Sequence, residues 1–202
     1  MSFALVFDCE FLTAEGSPSR FWCGPRDPDP VVAQIGIAKL GLAGDFPLLD
    51  TIRLYVAPRN RHGAPWHLDP FFTRLTGITP DHIAAEGIPL EQALRRVEDF
   101  AEGRKLWSWG KDEFNMVAIS CYVEGLTPPL PARQFGNACD LLLKAGMPYD
   151  DLKRTRSDKL ADHFKIEHPP LRGHDALDDA LSVTYVLQHF LRQGALTQAD
   201  FA

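Results

Sequence analysis

The stretch FALVFDCEF, residues 3–11, limits the possible folds of this chain more than any other segment. Apart from Asp8, residues 3–9 form a continuous apolar run without polar alternation. That is the pattern of a strand covered on both faces, which belongs inside a sheet with helices on either side. Side chains alternate across a strand, so Asp8 and Glu10 project to one face and Cys9 to the other. Two like charges side by side on a buried strand are costly unless a cation joins them. A divalent ion that prefers oxygen ligands, such as Mg2+ or Mn2+, would supply that cation. Taken alone, the pair is better explained as a solvated strand end.

The rest of the chain sets this strand in a frame. Residues 31–40 (VVAQIGIAKL) and 51–56 (TIRLYV) are expected strands, the second alternating enough to have one wet face. KLWSW, 105–109, is a further strand. The Pro- and Gly-rich segment 13–30 is too long for a hairpin turn and is expected to be a surface loop or flap. Helical patterns follow at DPFFTRLTG, at 89–103, over about 111–124, at 137–145 and at 151–163. The last helix lies within 174–194, with Leu177, Leu181, Thr184 and Leu191 on one face and Gly194 ending it. Three strands first, then strands alternating with helices, predict an α/β fold: an antiparallel three-strand meander extended by a parallel strand and flanked by helices.

Composition removes several function classes. The 202 residues fit one domain, and no apolar run approaches the ~20 residues of a membrane helix. The N-terminus lacks the features of a secretory signal, so the expected compartment is the cytoplasm. Cys9, Cys23, Cys121 and Cys139 are scattered, without a CxxC pair, and are expected to be buried thiols. A net charge of −6 argues against a broad grip on a long polyanion. A short contact with a nucleic acid end, and metal chemistry, both survive that objection.

Two further acidic segments fall at predicted helix starts. SWGKDEF, 108–114, places Asp112 and Glu113 just after a strand, and GHDALDDA, 173–180, combines His174 with Asp178 and Asp179. Each by itself is explained by carboxylates favouring the positive end of a helix dipole. In this order, FDCEF, the strand-then-Asp segment and the closing His-x4-Asp resemble the DnaQ-like (DEDDh) 3'-to-5' exonucleases. VVAQIGIAKL and LTGIT (75–79) add to the resemblance, which covers the chain from Phe3 to about Leu191.

The resemblance implies an RNase H-like mixed sheet in a single exonuclease domain spanning 1–202. It implies two Mg2+ or Mn2+ ions held by Asp8, Glu10, an acid of the middle motif and Asp179, with His174 as general base. The expected reaction is hydrolysis of the terminal phosphodiester of a nucleic acid with a free 3' end, releasing nucleoside 5'-monophosphates. By the same resemblance Phe11 and Leu12 contact the terminal nucleotide. The sequence leaves the oligomeric state open, a homodimer included.

For the middle motif, apolar Met116 and Val117 favour Glu113 by register, while residue type favours Asp112. Asp112 is taken, so Asp112→Asn is expected to abolish hydrolysis. In the last motif, Asp178 shares a helical face with His174 on a continuous helix, whereas a histidine on the preceding loop favours Asp179, which is taken. Asp175, beside the base, would raise the histidine's pKa. Of two basic patches, 59–63 and 153–159, the second is the candidate for phosphate contact, through Lys153 and Arg154. The low charge favours short single strands, RNA slightly over DNA. Two alternatives are a catalytically weak module binding nucleic acid 3' ends on the same fold, and an RNase H-type endonuclease, which the His-x4-Asp disfavours.

Overall fold

β1 (Phe3–Phe11) is the central strand of the computed structural model, which describes residues 2–202. It is followed by β2 (Val32–Gly41), β3 (Leu48–Tyr55), α1 (Pro70–Thr76), α2 (Pro80–Glu86), α3 (Leu90–Ala101), β4 (Leu106–Ser108) and α4 (Asp112–Glu124). Then come β5 (Phe135–Asn137), α5 (Ala138–Lys144), α6 (Tyr149–Arg154), α7 (Leu160–His163) and α8 (Ala176–Arg192). The strand order is β3-β2-β1-β4-β5, with β1-β2 and β2-β3 antiparallel and β1-β4 and β4-β5 parallel. This is the mixed α/β sheet expected from the sequence.

The period-two rule divides β1 between two cores. Phe3, Leu5, Phe7 and Cys9 pack with Ile35, Ile37, α3 (Leu90, Leu94, Val97) and α4 (Met116, Val117, Cys121). Ala4 and Val6 point the other way, into a cluster with α5, α7 and α8. Asp8 and Glu10 therefore continue the α8 side of the strand. Phe7 is 1% exposed, and truncating so large a core side chain to alanine costs about 3–5 kcal/mol.

Several local features differ from the sequence expectations. β5 is a three-residue parallel edge strand containing Gly136, where a Cβ would approach the Trp107 ring to 2.7 Å. Its pairing to β4 makes a strand of two residues outside any expected element and of Asn137, where the sequence pattern predicts the start of a helix. The expected continuous helix at 151–163 is broken after Arg154 by extended Thr155, with a 3-10 turn (Ser157–Lys159) before α7. The buried face of α8 includes Ala176, Ala180, Val183 and Leu187, while Leu177 and Leu181 are only half-buried. The first turn of the helix, at Ala176 and Leu177, approaches the backbone of β2 closely at Gly36. Cys23 is exposed rather than buried, and all four cysteines are free. No helix among the described residues is long and apolar enough to cross a membrane.

Candidate active site

Parallel β1 and β4 end at the same edge of the sheet, the place where open α/β sheets receive ligands. A cleft of about 370 Å³ opens there, lined by Asp8, Glu10, Glu113, Asp179, His174 and Phe11 among others. Asp8 and Glu10 arrive on β1, Glu113 on the first turn of α4, and His174 and Asp179 at the start of α8.

The four carboxylates are between 5% and 8% exposed, so they have lost most of their hydration. Burial, and then repulsion from Glu113, Asp179 and Glu10, holds Asp8 well above the usual carboxylate range. Burial and Asp179 do the same to Glu10. Burial pushes Glu113 to about 7, and burial with neighbouring Asp158 pushes Asp179 to about 8. Glu113 Oε2 is buried without a hydrogen-bond partner. Ligand atoms of Glu10, His174 and Asp179 lie within 4.8 Å of one another. Crowded, mutually repelling oxygens with an orphaned acceptor among them fit a hard divalent cation, which removes the repulsion and takes oxygen ligands.

The two ambiguous acid pairs separate clearly. Asp112, expected from the sequence to be the middle acid, is exposed on the rim, whereas Glu113 is buried beside Asp8 and Ser108. Successive helix positions point about 100° apart, so one of two adjacent acids must turn outward. In the last motif, Asp179 faces the cleft and its Oδ2 accepts the His174 backbone N–H at 3.3 Å. Asp178 instead accepts from the Arg172 N–H at 2.8 Å and from Arg53 at 3.4 Å.

His174 lies on the turn before α8 with φ of 61°, a left-handed conformation that histidine tolerates better than most residues. Asp175 does not act on it as expected. It caps α8, accepting from Leu177 N–H at 3.1 Å and Asp178 N–H at 3.2 Å, and it takes Arg53 at 2.7 Å and Gln34 Nε2 at 3.3 Å. Gln34 Oε1 in turn accepts the Ala176 N–H at 2.8 Å. The histidine's pKa is lowered, not raised, by half-burial and then by nearby Arg156. Its ring is thus kept neutral near pH 7.

Phe11 lines the cleft, but Leu12 does not. Leu12 is 1% exposed and packs with Val31, Ala33, Phe72 and Ile78. From the basic patch at 153–159, Arg156 reaches the cleft, while Lys153 pairs with Asp150 on the surface. Trp109 and Asp158 also line it and escaped the sequence reading. Gly36 escaped as well, although a glycine inside a buried strand is itself a sign of close backbone approach.

These shifts carry a stability consequence. Carboxyls whose folded pKa is raised favour the folded state at low pH and lose that contribution as pH rises from the unfolded value near ~4 through the folded values of about 7 and 8. Asp27, pulled down to about 2 by Arg20, works in the opposite sense below that window, and His174, whose pKa is lowered, works in the opposite sense within it, one half-buried imidazole against four buried carboxyls. The metal-free protein is therefore expected to melt at lower temperature at pH 8 than at pH 6. Mn2+ should raise the melting temperature more at pH 8 than at pH 6, because only the ionised cluster gains from the ion. Equal Mn2+ shifts at both pH values would contradict the cluster's assignment as a metal site.

No protein-family model matches the sequence, and no curated protein matches it. Solved structures do. The nuclease domain of 3'hExo, a DEDDh family member bound to rAMP, matches with a TM-score of 0.75 at 20% identity, covering 96% of this chain and 94% of that one. Cell-death related nuclease 4 (CRN-4) matches with a TM-score of 0.72 at 16% identity, covering 96% and 65%. The zinc-bound E. coli ExoI–ssDNA complex gives 0.59 at 17% identity, and the chain spans 40% of that protein. The chain has the RNase H-like fold of the DEDDh 3'-exonucleases.

Proposed function

We propose that the protein is a metal-dependent 3'-to-5' exonuclease, a single hydrolase domain that acts on short single strands, RNA ahead of DNA. The observation that carries this reading is the convergence of four buried carboxylates and one neutral imidazole in one cleft, with Glu113 Oε2 left unpartnered. The shared fold supports it, as does the nucleotide held by 3'hExo and the single-stranded DNA held by ExoI.

In this reading Asp8, Glu10, Glu113 and Asp179 hold two Mg2+ or Mn2+ ions, and the middle role passes from Asp112 to Glu113 on the geometry above. Bound there, the ions would stabilise charge developing on the attacking and leaving oxygens of the scissile phosphate. His174, unprotonated near neutrality, accepts at a ring nitrogen the proton of the water that attacks the terminal phosphorus. The bond to the 3'-oxygen breaks, the shortened strand departs and a nucleoside 5'-monophosphate is released. Phe11 offers the terminal base an apolar wall. Four free thiols suit a reducing compartment such as the cytoplasm.

The test uses the purified protein with 3'-labelled single-stranded RNA and DNA, with and without Mn2+. Labelled mononucleotides should appear from linear strands only when the ion is present, and circles should stay intact. Tight binding of 3' ends without release of mononucleotide would assign the chain to the end-binding module instead.

A further inference from the structure

The segment between β1 and β2 is a braced structure rather than a loose lid. Asp27 organises it: Oδ1 accepts from Ser17 Oγ at 2.9 Å and from Arg20 at 2.6 Å, and Oδ2 accepts the Gly24 N–H at 2.7 Å. Arg20 also donates to the Glu15 carbonyl at 3.0 Å. Trp22 ties this arm to the site. Its indole N–H donates to the Leu12 carbonyl at 3.0 Å, and its ring meets Phe11 edge-on with centroids 5.5 Å apart. Phe11 itself lines the cleft.

Within this brace, Phe21 and Trp22 both have φ of 52°, a left-handed backbone that bulky aromatic residues rarely adopt. The consequence is an outward-facing aromatic: Trp22 packs inward, while Phe21 is 82% exposed. Arg20 is paired with Asp27, which leaves Arg26 as the cation of residues 16–26 without an ion pair among the described residues, in a chain of net charge −6. Arg26 is exposed. An exposed ring on a braced backbone, with the exposed Arg26 five positions on, matches the chemistry of an unpaired nucleic acid strand, whose bases offer π faces and whose phosphates offer charge.

We propose that residues 16–26 form a rigid arm that takes up the substrate strand upstream of its 3' end, with Phe21 stacked on an unpaired base and Arg26 against a phosphate. This rests on the nuclease reading of the adjacent cleft. The arm makes strand length and single-strandedness determinants of specificity, since a nucleotide ester without an upstream strand leaves Phe21 unused.

Two measurements test the arm. The first is binding of a fluorescein-labelled eight-nucleotide single strand by anisotropy in Ca2+. The second is kcat/KM in Mn2+ on that octamer and on the p-nitrophenyl ester of thymidine 5'-monophosphate. Phe21→Ala should weaken octamer binding roughly ten-fold and lower the octamer-to-ester ratio of kcat/KM by a similar factor, mainly through KM. Phe21→Trp should restore both, and Arg26→Ala should flatten the salt dependence of octamer binding by about one contact. Unchanged binding and ratio in Phe21→Ala would overturn the arm. So would an equal loss on both substrates, which would make Phe21 a residue that shapes the cleft. A wild-type protein that hydrolyses neither substrate would refute the nuclease reading, and anisotropy alone would then decide the arm.

Discussion

Glu113→Gln is expected to lower Mn2+-dependent hydrolysis by at least about a thousand-fold, while Asp112→Asn leaves it within a few-fold of wild type. The two residues are adjacent and carry the same charge, so composition and net field cannot distinguish them. Their surroundings do. Glu113 is 6% exposed, stands beside Asp8 and has one oxygen with no hydrogen-bond partner, whereas Asp112 is exposed at the rim. An amide in place of the Glu113 carboxylate would keep the shape but lose the charge that a divalent ion requires.

A second readout separates loss of the ion from loss of the fold. Removing a repelling carboxylate from the buried cluster should raise the melting temperature of the metal-free variant at pH 8 and shrink the gain on adding Mn2+. If Asp112→Asn were the inactive variant and Glu113→Gln the active one, the middle position would return to Asp112.

Gly36→Val is expected to destabilise the protein by about 3 kcal/mol and to reduce activity by at least about a hundred-fold in the fraction that remains folded. Gly36 pairs with Asp8 across β1 and β2. A Cβ at Gly36 would overlap the backbone of Ala176 and Leu177 in the first turn of α8. Backbone cannot rotate away as a side chain can, so α8 must retreat from β2. That retreat stretches the Gln34 contact to Ala176 and the Arg53–Asp175 pair, and it carries His174 and Asp179 out of register with Asp8 and Glu10. Thermal melts and octamer hydrolysis would check this. Wild-type values in both would show that α8 does not need this close approach.

Which features could be read from the chain alone follows from how local their causes are. β1 declares itself because the apolar run and its two acids lie within nine residues, and strand geometry alone puts Asp8 and Glu10 on one face. The meander and α3 are similarly local, resting on period two and on an amphipathic stripe. The placement of His174 on a turn was legible from Gly173 and the five-residue spacing to Asp179, though only with the help of a family resemblance. β5 was not legible, since three residues with a glycine and an asparagine have no strand signal of their own and exist as a strand only beside β4.

The chain by itself determined a central buried strand carrying two carboxylates, four of the five sheet-forming segments in order, and the reactive residue types at each end. Tertiary packing decided which of Asp112 and Glu113 faces inward, turned Asp175 away to Arg53 and Gln34, sank Leu12 into the core and fixed Phe21 outward. The physical reason is that neighbouring residues have nearly the same local chemistry. What separates them is the direction in which a helix or loop is clamped, and that is set by contacts such as Ala176 on Gln34, which lie 142 positions apart in the sequence.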